Sequence, residues 1–267
     1  MNYLTSAQEI RYKRNCLLKE VGTDGQIKLL SSKILVIGAG AIGGAALMYL
    51  AAAGVGTLGI SDFDTVELTN LQRQIIHTTD HVGMSKISSA QKRIHDINPD
   101  IKVIPIDEKM SVYNISDTIA AYDFILDCTD RFESKFLIND ACVLAKKPYC
   151  HAGIVRFGGQ VMTYVPGHGP CLRCLIEEVP SPADAPLASE VGVLGAATGI
   201  IGSIQATEAI KYLLGIGELL TGRILQVDTL GMHFHEIPVG NSNPDCGICG
   251  EHPRIHSLTE NLADYQS

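Results

Sequence analysis

Four of the eight cysteines stand in two Cys-x-x-Cys pairs, a spacing typical of metal ligands. The pairs are Cys171 with Cys174 and Cys246 with Cys249. Together they offer four thiolates, which complete a closed tetrahedral site, suit structural zinc and leave no place for a catalytic water. Two redox-active dithiols or cysteines without a special role are the competing interpretations, and a reducing compartment favours the metal over disulfides.

A glycine motif, Gly38-x-Gly40-x-x-Gly43, follows the apolar run KILVIG and opens a helical pattern. Small residues there let the backbone approach a phosphate at the helix N-terminus, where free N–H groups favour anions. Asp62 ends the next predicted strand, where a carboxylate can bond ribose hydroxyls. These residues predict a nucleotide site, but a nicotinamide-dependent dehydrogenase would share all of them.

The segment after Asp62 favours a triphosphate over a dinucleotide. It reads DFDTVELTNLQRQ, which places Asn70 and Arg73 just past the ribose carboxylate, and Lys86 follows in GMSK. Cationic and amide donors of this kind neutralise and hydrogen-bond the phosphate oxygens of a triphosphate, whereas a dinucleotide enzyme has no need of them. A solvated lysine at a helix end is the alternative interpretation of Lys86.

Alternating strands and helices must position these residues. Short β-branched runs predict strands, and the amphipathic or apolar stretches between them predict helices. Strands are predicted at 33–38, 57–62, 101–106 and 123–128, and helices at 3–30, 41–53, 85–97 and 133–145. The alternation predicts an α/β, Rossmann-like fold whose sheet is parallel in its N-terminal part, with helices on both faces.

The second half of the chain differs in character. Residues 149–165 and 222–239 read as extended, which predicts an antiparallel extension of the same sheet. Between them lie a Pro-rich stretch, 166–186, and a long apolar helix, 193–214. We expect the Pro-rich stretch, which contains the first cysteine pair, to be a surface loop.

Composition excludes several classes of protein. The 267 residues carry a net charge of -8, so the basic footprint of a nucleic-acid-binding protein is absent. Residues 34–61 are uncharged, but glycines interrupt them, and a strand, a turn and a buried helix fit better than a membrane span. The N-terminus has no apolar core or cleavage site, so we expect a cytoplasmic protein that contacts no membrane.

Together these stretches resemble the ThiF/MoeB/HesA family, the bacterial relatives of ubiquitin-activating enzymes. The resemblance runs from Arg11 to about Gly250 and includes RYKRN, GTDGQIKLLSSKILVIGAGAIG, DFDTVELTNLQRQ, GMSK, DCTDRFESKFLIND, both cysteine pairs and GVLGAATGIIGSIQATEAIKYL. It implies an ATP-dependent adenylyltransferase that activates the C-terminal glycine carboxylate of a small ubiquitin-like sulfur-carrier protein ending in Gly-Gly. Such a carrier, ThiS-like or MoaD-like, would serve thiamin-thiazole or molybdopterin synthesis.

The resemblance also implies a role for each matching residue. Nucleotide contacts would come from Gly38, Gly40, Gly43, Asp62, Asn70, Arg73 and Lys86. Catalysis would depend on Arg14, Arg73, Lys86 and Asp130. Of these, Asp130 would coordinate Mg²⁺ or orient the attacking group, and Arg14 would reach the partner's triphosphate across a homodimer interface.

We expect a single adenylyltransferase domain over residues 1–267. It would consist of an N-terminal helical segment (1–30), a nucleotide-binding half (31–148) and a carrier-binding half (149–267) with the zinc site and a crossover loop.

The chain departs from the family at one position. Many members carry a cysteine in the loop before the Gly-Val-Leu-Gly helix, but that position is Ala188 here. A thioester or persulfide step on this chain is therefore in doubt, because nothing near Ser189 would activate it and Cys128 lies at a predicted strand end. The alternatives are that a separate donor delivers the sulfur, or that an engineered substitution removed the cysteine.

Other functions stay open at this point. A nicotinamide-dependent oxidoreductase fits the glycine motif but leaves the cations unexplained. A nucleotide-binding family member without turnover is favoured by Ala188 and opposed by the intact phosphate-binding set. Adenylation of a small or tRNA-borne carboxylate is disfavoured by the zinc cysteines and the acidic charge balance.

Overall fold

The computed structural model describes residues 3–181 and 188–265, and within them eight strands form one sheet. The strands are β1 (Lys33–Ile37), β2 (Thr57–Ser61), β3 (Lys102–Ile106), β4 (Phe124–Asp127), β5 (Tyr149–Val155), β6 (Gly158–Tyr164), β7 (Arg223–Asp228) and β8 (His233–Pro238). The helices are α1 (Ser6–Arg11), α2 (Lys13–Cys16), α3 (Gly22–Ser31), α4 (Ala41–Ala53), α5 (Lys86–Ile97), α6 (Ile115–Ala120), α7 (Phe132–Leu144), α8 (Leu172–Leu175), α9 (Ala188–Val191) and α10 (Gly195–Leu214). Short 3-10 helices span Leu68–Asn70, Thr79–His81 and Leu258–Tyr265.

The sheet order is β3-β2-β1-β4-β5-β6-β7-β8. Pairings from β3 through β5 are parallel, and those from β5 through β8 are antiparallel. This confirms the predicted Rossmann-like sheet with its antiparallel extension. The strand order reverses beside β1, and the carboxyl ends of the strands form a crevice at such a reversal, where ligands bind in this class of fold.

Both faces of the sheet are covered. On one face, Ile34 and Val36 of β1 belong to a core that includes residues of α4 and α10. On the other, Leu35 and Ile37 belong to a core that includes residues of α6 and α7. The uncharged stretch 34–61 is therefore core, and among the described residues no helix has the length and apolarity that a membrane span requires.

Most predicted elements appear within a few residues of their predicted bounds, and α4 appears at the predicted residues. The N-terminal segment predicted to be helical over 3–30 consists of three helices. Tyr12, buried and bonded through its hydroxyl to Asn98 Nδ2 at 2.8 Å, ends α1, and Gly22 with a φ of 60° begins α3. The Pro-rich loop contains the short helix α8, and its residues 182–187 lie outside the described part of the chain.

Candidate active site

A cleft of about 980 Å³ lies at the carboxyl ends of β1, β2 and β4 and continues over β5 and β6. It brings together most of the residues predicted to act on a nucleotide: Gly38, Gly40, Asp62, Arg73, Lys86 and Asp130. Gly43, Asn70 and Arg14 are not among the described residues that line it. The sequence motifs therefore mark the location of the cleft. The role of each residue depends on its contacts, which are described next.

The three motif glycines have different environments. Gly38 has a φ of 98°, and a Cβ there would lie 2.8 Å from the carbonyl oxygen of Cys128. A Cβ on Gly43 would overlap the carbonyl oxygen of Gly38, so this glycine lets α4 pack against the turn from behind. Gly40 is less crowded, since a Cβ there would make only an ordinary contact with the side chain of Gln74, whose Nε2 would lie 3.7 Å away. The backbone of the turn is thus most accessible from the cleft at Gly40.

Asp62 ties the end of β2 to this turn. Its Oδ2 accepts a hydrogen bond from the Ala39 amide at 2.8 Å, and its Oδ1 accepts one from the Asp64 amide at 2.9 Å. Burial raises the pKa of Asp62, while the charge of Lys86 opposes that rise. Each carboxylate oxygen keeps capacity for a second donor, so a ribose hydroxyl can be accommodated.

His77 bonds the carbonyl group of the same residue, Ala39, and the sequence pattern did not single it out. Its Nε2 lies 3.1 Å from the carbonyl oxygen of Ala39, which can only accept, so this nitrogen carries the proton. Its Nδ1 lies 2.7 Å from the hydroxyl of Ser89. Burial lowers the pKa of His77 to about 4, so the ring is neutral near pH 7 and Nδ1 accepts from Ser89.

The two predicted cations of the cleft differ in how firmly they are held. Lys86 begins α5, is buried, and places its Nζ 2.8 Å from Oδ2 of Asp64, a carboxylate whose side chain is 52% exposed. Arg73 is half-buried and donates from Nη1 to the Thr69 carbonyl at 3.1 Å. The ion pair between Lys86 and Asp64 was not predicted from the sequence.

The side chain of Asn70 bonds the backbone of the turn in which it lies. Its Oδ1 accepts from the Glu67 amide at 3.0 Å, which closes the 3-10 helix that precedes Arg73. Its predicted contact with phosphate remains a prediction.

Asp130 is exposed in the cleft, and the turn that carries it is anchored by the buried carboxylate of Asp127. Oδ1 of Asp127 accepts from the Thr129 amide at 3.0 Å and from its hydroxyl at 2.7 Å. Oδ2 accepts from Lys135 Nζ at 3.3 Å and from His151 Nδ1 at 3.0 Å. Burial alone would raise the pKa of Asp127, but Lys135, His151 and Thr129 together lower it to about 2.

The four paired cysteines meet in one cluster on the α7 face of the sheet. Their sulfur atoms all lie within 4.8 Å of one another. The Sγ–Sγ separations are 3.9 Å for Cys171–Cys174, 3.7 Å for Cys171–Cys246 and 3.3 Å for Cys174–Cys249. These distances are too long for disulfides and close to the roughly 3.8 Å edge of a tetrahedron with Zn–S bonds of about 2.3 Å. The donor set therefore fits zinc.

Of the two candidate nucleophiles, Cys128 is the one whose side chain the structure describes, and it is poorly suited to that role. Ala188, at the position of the family cysteine, lines the cleft as the first residue of α9. Cys128 donates from its Sγ to Gln205 Oε1 at 3.1 Å, and burial raises the pKa of its thiol well above the ordinary value. A thiolate is the reactive form of cysteine, so Cys128 is a poor nucleophile. The side chain of Ser189 lies outside the described residues.

Arg14 is exposed on α2 and is not among the described residues that line the cleft of its own chain. Its predicted contact with a partner's triphosphate remains a prediction.

Residues 12–248 match the ThiF family. Among curated relatives, the SAMP-activating enzyme E1 of Haloferax volcanii is 44% identical over 248 residues, which cover 93% of this chain and 91% of that protein. The adenylyltransferase and sulfurtransferase MOCS3 of Aedes aegypti is 40% identical over 266 residues. That match covers 100% of this chain but 60% of the relative, so the chain spans only part of such proteins.

Solved structures share the architecture. The crystal structure of E. coli MccB with ATP has a TM-score of 0.77 and 25% sequence identity, covering 93% of this chain and 76% of that one. E. coli MccB has also been solved with MccA.

Proposed function

Because this chain belongs to the ThiF family, we propose that it uses ATP to adenylate the C-terminal glycine carboxylate of a small ubiquitin-like sulfur-carrier protein. The observation that carries the proposal is the convergence of Asp62, the two cations and Asp130 in one cleft. The names of the relatives support it, since one activates SAMP and another is an adenylyltransferase. The cations also count against a nicotinamide-dependent oxidoreductase, which has no need of them.

In the proposed reaction, a carboxylate oxygen of the carrier attacks the α-phosphorus of ATP. The bond from that phosphorus to the bridging oxygen breaks, and pyrophosphate leaves with the electron pair. Both reactants are anions, so the protein must align them and offset the charge that develops on the phosphate oxygens. Arg73 and Lys86 supply the positive charge that offsets it, and Asp62 holds the ribose.

Asp130 fits the role of a magnesium ligand, because proteins bind Mg²⁺ through one or two carboxylates together with substrate phosphates. When bound, the ion would add to the neutralisation of phosphate charge. Zinc on the four cysteines would be structural, because four protein ligands leave it no open position.

We further infer a carrier of the ThiS or MoaD type, ending in Gly-Gly and acting in thiamin-thiazole or molybdopterin synthesis. The carrier would bind the second half of the chain, 149–267, whose strands β5 and β6 line the far end of the cleft. The reaction would end at the acyl-adenylate, with a separate sulfur donor, because Ala188 offers no thiol. The exposed position of Arg14 suits a homodimer in which each chain completes the other's site.

ATP–pyrophosphate exchange with purified ThiS-like and MoaD-like carriers tests the proposal. We expect exchange with one carrier and none with the same carrier lacking its terminal glycine. Binding of ATP without exchange for any carrier would instead support a non-catalytic member of the family. Carrier-independent oxidation or reduction of a nicotinamide cofactor would support an oxidoreductase.

A further inference from the structure

His151 is a polar group of the cleft that the proposed chemistry does not use. Its side chain lines the cleft although the residue is only 4% exposed. It lies on β5 in parallel register with Asp127 of β4, which anchors the turn that carries Asp130, and Gly153 and Gly158 follow it along β5 and β6. It therefore stands where the nucleotide end of the cleft meets the carrier end.

The hydrogen bond to Asp127 determines which nitrogen of His151 carries the proton. Asp127 is an ionised carboxylate that can only accept, so the nitrogen 3.0 Å away, Nδ1, is the donor. Burial, together with the charge of Lys135, lowers the pKa of His151, so the ring is neutral at pH 7. The other nitrogen, Nε2, then has a lone pair and no proton.

Nε2 needs a donor. Within residues 3–181 and 188–265, no hydrogen-bond partner contacts this atom. An acceptor nitrogen repels carboxylate and phosphate oxygens, so it does not suit the reacting anions themselves. A peptide N–H is a suitable partner.

The cleft beyond His151 leaves room for an extended backbone. A Cβ on Gly153 would meet no atom within 4 Å, and one on Gly158 would come no closer than 3.9 Å to any atom. A tail ending in Gly-Gly has no side chains near its carboxylate, so it offers recognition only through backbone N–H and C=O groups.

We propose that Nε2 of His151 accepts a hydrogen bond from a backbone N–H of the last two residues of the carrier and so directs the terminal carboxylate toward the α-phosphorus. This assignment rests on the proposed function. His151 is then a substrate-binding residue that recognises the backbone of the tail. Asp127 keeps the proton on Nδ1, so that Nε2 can accept.

Carriers in which an ester replaces one of the last two peptide bonds test the assignment, because an ester lacks the N–H and keeps the carbonyl. With the unsubstituted chain, one of these esters should lower kcat/KM for exchange by about three- to tenfold, the typical effect of one hydrogen bond. His151→Asn is the informative variant, because its amide can still donate to Asp127 but does not reach the position of Nε2. With this variant, amide and ester carriers should react at equal kcat/KM.

Gln160→Ala, which removes another polar side chain of the cleft from β6, should keep the full difference between amide and ester. His151→Ala serves as a second variant and should also equalise the two carriers. If both esters react as well as the amide with the unsubstituted chain, or if the difference persists in His151→Asn, the assignment is wrong. Failure of the amide carrier itself to support exchange would instead refute the proposed function.

Discussion

The cations of the cleft are the residues on which the proposed chemistry most depends. Replacing Lys86 or Arg73 by Ala removes a charge that offsets the polyanion in the transition state. We expect each change to lower carrier-dependent pyrophosphate exchange by about 10²-fold, or roughly 3 kcal/mol of barrier. Lys92→Ala is the matched control, because Lys92 is exposed on the same helix as Lys86 and away from the cleft. Exchange that survives in both cleft variants would contradict the assigned roles.

Cys128 tests whether the protein forms a covalent bond with its substrate. Its thiol is buried and hydrogen-bonded to Gln205, and adenylylation needs no protein nucleophile. Cys128→Ala should therefore keep exchange within about threefold of the original rate, apart from a modest loss of stability from the small cavity. If exchange is abolished while circular dichroism shows a folded protein, a covalent enzyme intermediate must be reconsidered.

At the level of elements, the turn between β1 and α4 depends on His77. The unfolded chain binds a proton on this ring near pH 6.5, whereas the folded ring binds one only near pH 4. The folded state therefore loses stability as pH falls through that window, by about 2 kcal/mol after allowance for solvent screening. His77→Gln, whose amide can still donate to Ala39, should show a correspondingly flatter pH dependence in urea unfolding. An unchanged pH dependence would mean that His77 is not held neutral.

The cysteine cluster joins α8 to the segment that contains Cys246 and Cys249. Freshly purified protein should contain one zinc per chain by elemental analysis. Cys246→Ala should lose the metal and at least about 3 kcal/mol of stability, or roughly 6–12 °C in Tm, because metal binding is coupled to folding. Exchange measured well below that Tm should persist, and Cys16→Ala, outside the cluster, should retain zinc. Absence of zinc from the unsubstituted protein would refute the site.

The sequence predicted elements with strong local patterns and missed features that depend on pairing between them. The bounds of α4 were predicted because Gly40 and Gly54 flank an apolar run. The helix α6 was not predicted, because six residues are too few to show a helical period. The contact between Asp127 and His151 also escaped prediction, because it arises only when β4 and β5 pair in register.

For the whole molecule, the assembly can be tested with two inactive variants. If Arg14 completes the partner's site, a heterodimer of Arg14→Ala and Asp130→Ala chains contains one intact site and one site that lacks both groups. Each heterodimer should have about half of the exchange rate of the unsubstituted dimer, and a statistical mixture of the variants about a quarter. Subunit exchange should be verified with distinct affinity tags. Heterodimers without recovered activity would exclude a shared site.

The measurement that tests adenylylation most directly follows the carboxylate oxygen of the carrier. A carrier labelled with oxygen-18 at its terminal carboxylate is incubated with ATP and the protein, and the product is then cleaved by excess thiol. Attack on the α-phosphorus transfers a carboxylate oxygen to that phosphorus, so the released AMP should carry one labelled oxygen in its phosphate. Label in inorganic phosphate together with ADP, or AMP without label, would contradict the proposed reaction.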